Sequence, residues 1–228
     1  MKIDLQLFGG RGADLPTANP TGSGGGGGKW STTPNVQNPQ TLKEALGQRG
    51  RPMSIYKAAK GANPYYDGSY KEFSENCQRA VVAYEARRRG YDVTAQPTFQ
   101  GDKLPKQTHG NGHWQGAFKN AKTENVSGKN AKAVQSNIEN KMSQYGNGSR
   151  AVVAIQWSDG KGHVFNVERQ SGKTYYVDAQ IGAKYNPATL FAKVKTNSVK
   201  LVRTDNLKFS DRMKKSVEPA GSRTGGKK

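Results

Sequence analysis

Residues 151–180 read AVVAIQWSDGKGHVFNVERQSGKTYYVDAQ, and the period of this stretch decides the fold. Ala151–Trp157, His163–Gln170 and Thr174–Gln180 follow a period of two, which places successive side chains on opposite faces of a strand. The turns SDGKG and Ser171-Gly172 separate the three runs,. A two-residue Ser171-Gly172 turn pairs Gln170 with Lys173. Counting back along both strands, Phe165 then faces Asp178 and His163 faces Gln180. His163 and Asp178 share a face as diagonal neighbours, about 7–8 Å apart at the backbone. A four-residue loop keeps this parity. A three-residue loop without a bulge would send the two to opposite faces.

Upstream of the strands the period is helical. Residues 77–89, CQRAVVAYEARRR, place Cys77, Val81, Tyr84 and Arg88 on one face, with Ala80 widening the apolar stripe,. Ser74 and Asn76 are candidate caps. The three arginines suit the negative end of the helix, and Gly90 is a natural stop. Residues 130–145 predict an amphipathic helix on Val134, Ile138 and Met142. Short helices are expected over 41–46, where Thr41 and Glu44 form a capping box, and over Ser54–Lys60. Tyr91–Ala95 and Val199–Arg203 read as further strands, and 98–129 as loop carrying Trp114 and Phe118. Helices followed by a run of antiparallel strands give an α+β domain.

Composition divides the chain into residues 1–40, 41–204 and 205–228. Residues 9–40 are Gly, Pro, Ser, Thr and Asn with little apolar content, a flexible linker by composition,. Residues 205–228 read as a basic, frayed tail. Nearly every apolar run lies in 41–204. The chain has 228 residues and a formal charge of +19, of which +13 falls on the central segment. That charge suits polyanions, including nucleic acid bound non-specifically, but there is no signature of a sequence-reading module. No apolar run approaches the ~18 residues of a membrane span, and the first residues lack the unbroken apolar core of a secretory signal. With a single cysteine, no internal disulfide can form, which suits a reducing compartment such as the bacterial cytoplasm,.

That one thiol, Cys77, sits where a helix begins. A helix N-terminus favours the thiolate, and its backbone N–H groups can hold an oxyanion. Read alone, Cys77 is more readily a small buried apolar residue under the helix, and it is His163 that shifts the reading. His163 opens a strand directly after a glycine turn, and Asp178 lies on its face. Nucleophile, base and orienting acid are therefore all present. His109 and His113 are four apart in a loop without a nearby third ligand, so no metal and no cofactor is expected.

The segments NCQRAVVAYEARRRGYDV, GHVFNVE and YYVDAQIG resemble the papain-fold toxin family, the glutaminase-like deamidase and peptidase toxins of polymorphic toxin systems. The resemblance spans about residues 41–204. It implies a papain-like fold in which the helix bearing the nucleophile packs on an antiparallel sheet. The implied catalytic residues are Cys77, His163 and Asp178. In place of the glutamine that papain-like peptidases carry before the cysteine, this chain has SYKEFSEN. Asn76, with backbone N–H groups, and Gln180 of the Asp-x-Gln motif are the candidate oxyanion or supporting residues. The opening MKIDLQLFGGRG is similar to proteins of phage and prophage head-morphogenesis regions, which implies a virion-associated location.

Three functions follow. Glutamine deamidation of a protein substrate is implied by the resemblance, with an immunity protein as a further partner. Peptide hydrolysis by the same fold is the enzymatic alternative. A non-catalytic phage accessory protein, contacting head components or nucleic acid through its charge, is the third.

Overall fold

In Ala151–Ile155 every residue is apolar, so a strand built from it buries both faces and its sheet needs a cover on each side,. The structure, a computed structural model, describes residues 15–18, 20, 29–30, 38–99, 102 and 114–223. Its helices are α1 (Leu42–Leu46), α2 (Ile55–Ala62), α3 (Lys71–Ser74), α4 (Cys77–Arg88), α5 (Ala131–Tyr145) and α6 (Pro187–Phe191). Its strands are β1 (Thr17–Ala18), β2 (Val93–Ala95), β3 (Glu124–Asn125), β4 (Arg150–Gln156), β5 (Gly162–Gln170), β6 (Lys173–Asp178), β7 (Ala183–Tyr185), β8 (Lys200–Arg203) and β9 (Val217–Pro219). Seven strands form one sheet in the order β1-β7-β6-β5-β4-β8-β3. Neighbours are antiparallel except for the parallel pair β1–β7.

Two separate apolar clusters cover this sheet. Val152, Ala154, Val164 and Val177 pack with α1, α2 and α4. Val153, Ile155, Phe165, Val167 and Leu201 pack with Val134, Ile138 and Met142 of α5 and with Leu190 and Phe191 of α6. The alternation along each strand thus sorts side chains between two helical layers. The α+β architecture expected from the sequence is present.

The β5–β6 hairpin keeps the expected register, from Gln170 opposite Lys173 to Asn166 opposite Val177. Ser171 (φ 47°) and Gly172 (φ 76°) are both left-handed, as a two-residue turn between twisted strands requires,. Thr41 caps α1 by accepting from the Glu44 N–H at 3.1 Å, while Glu44 accepts from the Gln40 N–H at 2.9 Å. Gly90 (φ 96°) ends α4 beside Gly50, whose carbonyl oxygen would lie 2.3 Å from any Cβ at position 90. Only glycine fits there.

Three expectations need correction. First, α4 is not a helix with one apolar stripe, because Gln78 through Arg88 are all buried. Its arginines are enclosed rather than displayed. Arg88 pairs with Glu168 and donates to the Met53 carbonyl, and Arg89 and Arg150 both pair with Glu85. Second, residues 205–223 do not fray. Met213 is fully buried, and β9 pairs with β2 in a second, two-stranded sheet. Third, the linker expected over 9–40 contains packed residues. Leu15 is 2% exposed, and β1 pairs with Lys184 and Tyr185 of β7. The opening MKIDLQLFGGRG and most of the linker lie outside the described residues, as do His109 and His113.

Candidate active site

Three elements converge at one end of the sheet. Cys77 is the first residue of α4, so its backbone N–H belongs to the turn that has no partner within the helix,. His163 lies at the start of β5, and Asp178 is the last residue of β6. The hairpin register carries the diagonal pair as expected. His163 Nε2 and Asp178 Oδ2 are 2.9 Å apart, both side chains buried. Cys77 is a hydrogen-bond partner of the same imidazole. With Nε2 taken by the carboxylate, Nδ1 is left for the thiol. Cys77 is partly exposed, whereas His163 and Asp178 are 3% and 1% exposed.

The electrostatics follow from this burial. Enclosure alone would push the imidazole toward neutrality, but Asp178 and Cys77 outweigh it and raise His163 to about 10,. Enclosure would likewise raise the Asp178 carboxyl. Its interaction with His163, the Tyr185 hydroxyl and the Gln180 N–H instead holds it below the usual carboxylate range. The imidazole is therefore cationic at neutral pH. Aromatic rings wall it in. Trp157 stacks on it at 5.6 Å between centroids, while Phe165 and Tyr185 lie at 6.3 and 6.5 Å.

Asn76 and Gln180 do not point at the thiol as free donors. Asn76 leaves its expected capping role and donates instead to Asn63 Oδ1 at 2.9 Å, with Asn63 returning a bond at 3.2 Å. Asn63 also donates to the Gln180 carbonyl at 2.8 Å, and the Gln180 side chain reaches Asn76 Oδ1 at 3.4 Å. These buried amides tie the end of α2, the start of α4 and the segment after β6 into one network. Sequence reasoning missed Asn63, Trp157 and Tyr185. Asn63 sits in a turn-like GANP stretch, and Tyr185 lies on a three-residue strand too short to show a period. Trp157 could have been found, since it is an alternating residue one turn away from His163.

A cavity of about 1070 Å³ opens at the other end of α4, lined in part by Arg49, Arg88, Arg89, Tyr91, Arg150 and Phe209. It is about 18 Å along the helix from Cys77, and none of the three site residues lines it. Among the described residues no group of three His, Cys, Asp or Glu is placed to hold a metal ion, and no helix is long and apolar enough to cross a membrane.

A partly exposed thiol at a helix start, a buried imidazole and a buried acid make an acyl-transfer constellation. Residues 75–183 match the family of papain fold toxin 1, glutamine deamidase. The matched segment is narrower than the 41–204 span of the sequence resemblance, yet it contains Cys77, His163, Asp178 and Gln180. Neither the curated proteins nor the solved structures include a match to the chain.

Proposed function

We propose that this chain is a cysteine-dependent protein glutamine deamidase in which Cys77 is the nucleophile, His163 the general base and acid, and Asp178 the group that orients the imidazole. The observation that carries the reading is the buried His163–Asp178 pair beside a reachable Cys77, within a segment matching a glutamine deamidase family.

The chemistry follows from the protonation states. The Cys77 sulfur attacks the side-chain carboxamide carbon of a substrate glutamine, and the carbonyl π electrons move to oxygen. The backbone N–H groups that open α4 are the donors nearest to that developing oxyanion. The imidazolium passes a proton to the departing nitrogen, the C–N bond breaks, and ammonia leaves behind a thioester. His163, now neutral, takes a proton from water as the water attacks the thioester. Collapse releases a glutamate side chain and restores the thiolate–imidazolium pair. Asp178 stays charged throughout, and its bond to Nε2 keeps Nδ1 turned to the sulfur. Asn76 and Gln180 act as supports, holding the loop behind Asp178 against the start of α4.

The test is to incubate the full chain with bacterial lysate and map Gln-to-Glu changes by peptide mass spectrometry, with Cys77→Ala as control. Deamidated sites that vanish with Cys77→Ala are the expected result. Backbone cleavage without Gln-to-Glu change would make the chain a peptidase of the same fold. Neither change would remove the enzymatic reading.

A further inference from the structure

Asp178 sits between two diagonal neighbours. On β5 it reaches His163. On β7 it pairs directly with Ala183, so Tyr185, two residues further on, projects from the same face,. The Tyr185 hydroxyl donates to Asp178 Oδ2, the oxygen that also meets His163 Nε2, while Oδ1 accepts from the Gln180 N–H at 2.9 Å. Both carboxylate oxygens are thus held, and the group cannot turn without breaking a bond. Tyr185 is 8% exposed, and its ring meets Phe165 edge-on at 5.8 Å. Tyr185 lies just beyond the matched segment 75–183, and its strand is fixed on the outer side by Ala18 of β1.

We propose that Tyr185 is a positioning residue for the active site, its hydroxyl fixing the Asp178 carboxylate in the charged, His163-facing orientation. The inference rests on the Cys77–His163–Asp178 reading and names a fourth member that acts through Asp178 without touching substrate. The ionisable groups around Asp178 are His163 from β5, Tyr185 from β7 and Tyr66 from the loop after α2, with Cys77 of α4 acting on His163 and Tyr185. Of the two side chains hydrogen-bonded to the carboxylate, His163 and Tyr185, Tyr185 is the one that can be removed while leaving the catalytic pair intact. A hydrogen bond to a charged acceptor favours the charged form. Without the hydroxyl, Asp178 takes up its proton at higher pH, and the imidazolium then loses its counter-charge.

Cys77 is the only cysteine, so alkylation reports on it alone. The experiment is the rate of iodoacetamide alkylation against pH in the full chain, comparing wild type with Tyr185→Phe. The phenyl ring preserves packing against Phe165, so the thermal midpoint serves as the control for folding. In wild type the rate should hold a plateau well below the ordinary titration of a thiol, ending in an acid limb. In Tyr185→Phe that limb should move up by about one pH unit, with about a tenfold fall in glutamine turnover. A limb that coincides with wild type overturns the proposal, because a purely packing role would not move it. A wild-type thiol with no acid plateau would sink the underlying Cys77–His163 reading, a distinguishable result. If Tyr185→Phe does not fold, proton NMR of the wild type decides. A slowly exchanging, downfield tyrosine hydroxyl that is lost in Asp178→Asn supports the bond, and its absence refutes it.

Discussion

The two ends of α4 both bury charge, but they treat it differently. At the C-terminal end, Glu85 and Glu168 are fully enclosed and every carboxylate oxygen has partners. Arg150 spans both oxygens of Glu85 at 2.9 Å, Arg89 adds a bond at 2.7 Å, and Tyr84 donates to Glu168 at 2.8 Å. Nothing there is left to react. At the N-terminal end, Asp178 and His163 are equally enclosed, but the chain of interactions ends on a partly exposed cysteine. A closed network turns the cost of burying charge into a fixed helix position. An open one leaves the last member available to a substrate. The helix is thus anchored at one end while the other carries the proposed nucleophile.

The comparison breaks most sharply at the open end. Cys77→Ala and His163→Ala should each cost about 10⁴-fold or more in turnover, with the double mutant scarcely worse than Cys77→Ala. The thermal midpoint of Cys77→Ala should stay close to wild type, whereas His163→Ala leaves the buried Asp178 without its counter-charge and should lower it,. Unfolding by Cys77→Ala would mean that the thiol is packing rather than chemistry. At the closed end the signs reverse. Glu168→Gln leaves Arg88 without its counter-charge and should cost about 3–5 kcal/mol of stability, read by denaturant unfolding. Activity per folded molecule should persist. A stability unchanged by Glu168→Gln would mean that the network does not anchor α4.

A smaller effect concerns the sheet edge. Deleting residues 1–20 removes the buried Leu15 and β1, so it should cost about 1.5–3 kcal/mol. It should also lower turnover by loosening β7 behind Tyr185. Unchanged stability would show that β1 is a passive strap. The last expectation is a pH dependence. His163 is raised from 6.5 to about 10 in the folded chain, so its stabilisation is full below pH 6.5 and is lost as pH rises through about 10,. Between those values wild type should lose more of its thermal midpoint than His163→Gln does. Parallel slopes would deny the charged pair.

Much of this site was legible because it depends on short-range geometry. The Ser171-Gly172 turn sets the β5–β6 register, and that register brings His163 to Asp178. The helix start at Cys77 was equally local. What was not legible depends on distant charge. Arg88 and Arg89 look like a solvated helix end until Glu168 and Glu85 enclose them, and Glu168 lies 80 residues away from Arg88. The same applies to Val217, whose strand returns to β2 across most of the domain. Asn76 was read as a cap because a cap needs only its neighbours. The structure assigns its side chain to Asn63 and Gln180, which no local rule brings together.

The central claim is that Cys77 is an activated nucleophile shaped for a glutamine side chain. The direct measurement is intact-mass spectrometry after exposure to 6-diazo-5-oxo-norleucine, a glutamine-like electrophile that traps such thiolates. The account predicts one adduct, located on Cys77, forming in wild type and nearly absent in the folded His163→Ala variant. No adduct in wild type, or an equal adduct in His163→Ala, would contradict it.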